Sequence, residues 1–160
     1  MKKTILLLFI SINCYSQKTI SEILNQFNKK SVNYISVNEL KEKQNIILFD
    51  TREYGEFMTS HIENAEFVGF KKFSEKKIKQ NYKNLNAIIV VYCSLGVRSE
   101  KIGEKLLRMG YKNVFNLYGG IFEWKNQNQP VYDSENHETE NVHGFSKEWS
   151  IYLLKGKKVF

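Results

Sequence analysis

Cysteine is scarce in this chain. Two occur in 160 residues, Cys14 and Cys93. Cys14 falls within MKKTILLLFISINCYS, which has the order of a secretory signal: two lysines, an apolar run from Ile5 to Ile12, then small or polar residues. Cleavage between Ser16 and Gln17 would leave Cys93 as the lone thiol and exclude an intrachain disulfide. Long hydrophobic runs are missing too. No stretch reaches the roughly 18 apolar residues that cross a bilayer, so the mature chain is expected to have no membrane span. An uncleaved signal would act as an anchor. Lipidation at Cys14 is disfavoured, because Ser11-Ile12-Asn13 is a poor lipobox. The expected location is therefore outside the cytoplasm, in the periplasm. Dense positive charge is also absent. Losing residues 1–16 removes Lys2 and Lys3 and no acid, so the formal charge of +7 becomes +5. That balance favours anions near the surface but falls short of the basic stripe of nucleic-acid binding. Metal-ligand spacing is lacking as well: His137 and His143 have no second ligand pair, so a zinc site is not expected. No internal repeat is evident.

What is present suits one globular domain with a proper core. Residues 17–31 form an expected N-terminal helix, with Ile20, Ile23, Leu24 and Phe27 on one face. The segment 32–125 then alternates short apolar strands with helical patterns. Strands are expected at Asn33–Ile35, Ile46–Asp50, Ala65–Val68, Ala87–Tyr92 and Asn113–Leu117. Helices are expected in VNELKEK, REYGEF, the lysine-rich Lys71–Lys83 segment, and Ser99–Met109 with Gly110 as its stop; Gly119-Gly120 opens another. Such alternation predicts an α/β fold, a central parallel sheet of about five strands with helices on both faces. Residues 126–160 form a C-terminal extension. Asp133–Asn141 reads as a polar loop. Phe145, Trp149, Tyr152 and Leu153 recur at i, i+4, i+7 and i+8, which predicts an amphipathic helix ending at Gly156. That helix would dock its aromatics on the domain or present them to a protein partner.

In open parallel sheets ligands bind beyond the carboxyl ends of the strands. Asp50, Cys93 and Gly119-Gly120 all sit at such ends. The loop Cys93-Ser94-Leu95-Gly96-Val97-Arg98 precedes a helix whose free N–H groups and positive dipole end face back toward it. Gly96 allows a tight turn, so that successive amides form an anion nest. Arg98 adds a permanent positive charge. A thiolate is the nucleophilic form of cysteine, and this cradle lowers its pKa. The alternative is an unreactive buried cysteine. Two chemistries share the cradle. Phosphate-ester hydrolysis uses Cys, five residues, then Arg; here four residues intervene, a smaller nest better matched to sulfur transfer.

The stretch CSLGVRS resembles the active-site loop of single-domain rhodaneses, C-x-x-G-x-R-S. Asp50-Thr51-Arg52-Glu53, continued by Phe57, His61-Ile62 and Ala65, is similar to that family's D-x-R-x-x-x-E/F-x-x-G-H-I-x-G-A signature, with Ser60 and Asn64 in place of two glycines. Leu117-Tyr118-Gly119-Gly120-Ile121 with Trp124 resembles its terminal L-x-G-G-x-x-x-W. The resemblance implies a sulfurtransferase. Cys93 would take sulfane sulfur from a small anionic donor such as thiosulfate and pass it, as a persulfide, to cyanide or another thiol. The amides of Ser94, Leu95, Gly96, Val97 and Arg98 would bind the anion, and no metal or organic cofactor is required. Supporting roles are expected for Asp50 with Glu53 as a helix cap, for Arg52 paired with a carboxylate such as Glu56, and for His61 in packing. A persulfide carrier or redox-sensing module, and a catalytically silent binding domain, are the competing readings.

Overall fold

The computed structural model describes residues 18–160. The expected signal segment 1–16 lies outside them. Helix α1 (Ile20–Phe27) starts at a capping box in which Thr19 and Glu22 satisfy each other's backbone N–H groups, and it buries Ile23 and Leu24. Strand β1 (Asn33–Ile35) leads to α2 (Val37–Glu42), capped the same way by Ser36 and Glu39. There follow β2 (Ile46–Asp50), α3 (Tyr54–Thr59), β3 (Glu66–Phe67), α4 (Glu75–Asn81), β4 (Ile88–Tyr92), α5 (Val97–Arg108), β5 (Asn113–Leu117) and α6 (Gly120–Asn126). The five strands form one parallel sheet in the order β1-β5-β4-β2-β3. This is the expected α/β architecture.

Strand pleating divides the core in two. Leu48, Val90, Tyr92 and Leu117 pack on one face with Ile23, Leu40, Ile121 and Phe122. Phe49, Ile89, Val91 and Val114 pack on the other with Ile78, Ile102 and Leu106 of α4 and α5. β4 is buried on both faces, which is why its sequence IIVVY contains no polar alternation.

Three expectations about local structure need correction. The extension holds no α-helix among the described residues. It contains β6 (Val131–Tyr132), β7 (Glu138–Thr139), β8 (Asn141–His143), a 3₁₀ turn at Ser150–Tyr152 and β9 (Lys157–Val159). Phe145 adopts φ +63°, which a right-handed helix cannot include, and β8 pairs with β9 in parallel instead. The aromatics nonetheless dock: Val131, Val142 and Leu153 complete the first core cluster, with Trp149 and Tyr152 packed against it. In the polar segment 133–141, residues 133–137 are the tip of an antiparallel β6–β7 hairpin, closed where Asp133 Oδ1 accepts the N–H groups of Glu135 and His137, and β7 and the start of β8 take up much of the rest. Two helix starts also shift. α5 begins two residues before Ser99, and α3 begins at Tyr54, because the side chain and amide of Arg52 are drawn back onto Asp50.

Candidate active site

Cys93 follows directly from β4, so the sheet itself aims the thiol at its carboxyl edge. Three sets of contacts converge on the loop it opens. From below, Ile121 and Phe122 at the start of α6 donate their N–H groups to the carbonyls of Cys93 and Ser94 at 2.9 and 3.1 Å. The approach requires glycine: a Cβ on Gly120, at φ +56°, would lie 2.2 Å from the Cys93 oxygen. From the front, Gly96 caps α5 at φ +111° and donates its N–H to Cys93 Sγ at 3.1 Å. Its carbonyl, in the next peptide, accepts from Asn116 Nδ2 at 2.8 Å and Asn28 Nδ2 at 3.0 Å, which pins Gly96 from its other side. From the side, Ser99 Oγ lies 3.5 Å from Sγ and 2.7 Å from Asn116 Oδ1, so its one proton can face either partner.

Burial pushes the Cys93 thiol up, and the Arg98 charge with the Ser99 and Gly96 hydrogen bonds outweighs it, so the thiol sits below its ordinary value. The loop is thus built for a thiolate.

Arg98 meets Glu56 in a fork, Nη1 to Oε2 at 2.6 Å and Nη2 to Oε1 at 2.7 Å. Nη2 also reaches Ser94 Oγ at 3.0 Å, and that hydroxyl lies 3.2 Å from Glu56 Oε1. Burial opposes ionisation of Glu56, yet Arg98 and the Glu53 N–H hold it below the usual carboxylate range. The flat face of Arg98 lies 4.4 Å from the centre of the Phe145 ring. Cys93, Ser94, Leu95, Val97, Arg98, Phe145 and Trp149 enclose a cavity of about 130 Å³.

The other expected residues are placed differently. Arg52 pairs with Asp50, with Nη2 at 2.6 Å, and not with Glu56. Both are fully buried, Arg52 Nη2 also reaches the Ser60 carbonyl at 2.5 Å, and neither lines the cavity. Asp50 accepts the Arg52 amide and is not a helix cap; Glu53 and Glu56 form the capping box of α3. His61 bridges to Tyr132 through its backbone, and its ring stacks on Phe57 at 4.2 Å. Ser60 at φ −171° is extended backbone open to any residue, and Asn64 takes the left-handed conformation at φ +59° that asparagine tolerates. Among the described residues no three His, Cys, Asp or Glu side chains gather to hold a metal.

Five site residues escaped the sequence reading: Glu56 as the Arg98 partner, Ser99, Asn116, Phe145 and Trp149. Glu56 and Ser99 stand inside the motifs that carry the resemblance, Phe145 and Trp149 in the aromatic stripe expected to dock on the domain, and Asn116 carries no local signal.

The profile of the rhodanese-like domain family matches residues 35–127, more than half of the chain. The chain is 29% identical over 96 residues to the thiosulfate sulfurtransferase GlpE of Coxiella burnetii, covering 60% of this chain and 87% of that one. It is 34% identical over 93 residues to the tRNA uridine(34) hydroxylase of Photorhabdus laumondii, covering 55% of this chain but only 26% of that protein. A thiosulfate sulfurtransferase structure from Pseudomonas aeruginosa shares the fold with a TM-score of 0.58 at 17% identity, covering 71% of this chain and 22% of that one.

Proposed function

The chain belongs to the rhodanese-like family, and from that premise we propose that it is an exported sulfurtransferase working through a persulfide on Cys93. The observation that carries the reading is the Gly96 N–H on Cys93 Sγ beside a thiol already biased toward its anion. The Cys93 thiolate attacks the outer sulfur of a donor such as thiosulfate. A new S–S bond forms, the donor's S–S bond breaks, and sulfite departs with the electron pair. The terminal sulfur then carries the negative charge, which the amides of the Ser94–Arg98 turn and the start of α5 stabilise. A thiophilic acceptor, cyanide or a thiol, attacks that outer sulfur, and Cys93 leaves as a thiolate. No external oxidant or reductant enters the cycle. Export rests on the residue order of 1–16.

The test is thiosulfate-dependent thiocyanate formation by the native protein and by Cys93→Ser, with intact mass alongside. Turnover in the native protein, abolished in the variant, with a mass beginning at Gln17 and one added sulfur, is the expected result. A persulfide that forms without turnover would favour a sulfur carrier. A folded protein that neither turns over nor gains sulfur would remove the sulfurtransferase reading.

A further inference from the structure

Beyond the loop amides, the cavity above Cys93 offers the outer part of a donor mainly apolar surface. Among the described residues Arg98 is the one cation on its wall, and the Glu56 carboxylate and Ser94 hydroxyl hold its fork. The Phe145 ring lies against the guanidinium face at 4.4 Å. The lining that remains exposed is almost wholly apolar, supplied by Leu95, Val97, Phe145 and Trp149 around the sulfur. Two of these four come from the extension, beyond the residues that match the family profile. Their placement is built in. Gly144 N–H bonds the Val159 carbonyl of β9 at 2.9 Å, and Phe145 N–H bonds His143 Nδ1 at 3.0 Å. Trp149 stands between Phe145 and Phe27, with ring centres at 6.1 and 5.7 Å. At about 130 Å³ the space is close to a cavity of about 150 Å³ known to hold benzene.

We propose that Phe145 and Trp149 are specificity-determining residues which fit the site to a singly charged sulfane-sulfur donor whose sulfur is carried on an apolar organic group. This rests on the sulfur-transfer reading above. The step is the same displacement: the Cys93 thiolate takes the terminal sulfur of an organic thiosulfonate, and the sulfinate leaves with the bonding pair and its charge. Phe145 and Trp149 bury the organic group during attack, whereas thiosulfate has no apolar group to bury.

The experiment follows sulfur addition to Cys93 by intact mass under single turnover. Benzenethiosulfonate and methanethiosulfonate share one reactive group and differ in the organic group, so the change in their rate ratio between native protein and variant cancels intrinsic reactivity; thiosulfate is the third donor. Phe145→Gly removes the ring and relieves the positive φ, and Trp149→Ala is the second variant. The native protein should favour the phenyl donor by about tenfold. Either variant should slow the phenyl donor more than the methyl donor and so bring that ratio toward one. A native ratio near one, or a ratio indifferent to both substitutions, overturns the assignment while sulfur transfer stands. No sulfur on Cys93 from any donor removes the sulfur-transfer reading, and the assignment with it.

Discussion

Arg52 and Arg98 each grip a carboxylate through a guanidinium fork, and they are placed for different work. The Arg52–Asp50 pair lies at the end of β2 with both side chains fully buried. It ties β2 to the Ser60 carbonyl and lies 5.7 Å from the Tyr92 ring. Its role is to fasten the strand end beside which Cys93 emerges, since Asp50 is in register with Tyr92. The Arg98–Glu56 pair stands at the cavity wall, with side-chain exposures of 14% and 5%, and its field reaches the thiol. The same chemistry is a tie in one place and an electrostatic setting in the other. What differs is whether a thiol shares the neighbourhood.

Breaking each pair separates the two roles. Arg52→Met has the largest expected effect on folding. It strands a buried carboxylate, a loss of about 3–5 kcal/mol, read as a lowered urea midpoint. Sulfur-transfer rates per folded molecule should change little. Arg98→Met should reverse the emphasis. Stability falls by about 2 kcal/mol, whereas sulfur transfer falls about a hundredfold, as for loss of one preorganised donor at a developing charge. The pH profile adds the sign. Arg98 holds the thiol below its ordinary value, so the acid limb of activity should lie below that of a free cysteine and move upward when the cation is removed. An unmoved limb in Arg98→Met, or an equal activity loss in both variants, would erase the distinction. Glu56 adds a stability trend: its depressed carboxyl contributes stability that is present above the unfolded value and lost as pH falls through the folded one.

The sheet and its cysteine were legible because each rests on local pattern. Ile46–Asp50 and Asn113–Leu117 match their strands residue for residue, and the Cys93–Arg98 spacing identified the loop. The partners of the two arginines were not legible. Glu56 lies four residues beyond Arg52, a spacing that suggests a helical pair. α3 starts only at Tyr54, however, and Arg52 folds back onto Asp50. Glu56 is thereby released to reach 42 residues along the chain to Arg98. The extension was misread for a related reason. Phe145 and Trp149 are four apart and do share a side, but a left-handed turn and the β8–β9 pairing bring them there. Period alone does not distinguish a helix from a turn that repeats its spacing.

A finer comparison asks which neighbours of the thiol act on it and which only hold the loop. Ser99 sits on that boundary. Its hydroxyl is closest to Asn116 Oδ1, which makes it part of the brace on the Gly96 peptide, yet it can also turn its proton to Sγ once the thiolate forms. Ser99→Ala removes one hydrogen bond, worth about 1 kcal/mol, so sulfur transfer at neutral pH should fall about fivefold, the smallest effect in this series. A residue that only braces Asn116 would lower the unfolding midpoint and leave the pH profile in place. A residue that also stabilises the thiolate moves the acid limb upward in the same direction as Arg98→Met. Because the hydroxyl is a neutral donor while Arg98 carries full charge, its displacement of the limb should be the smaller of the two.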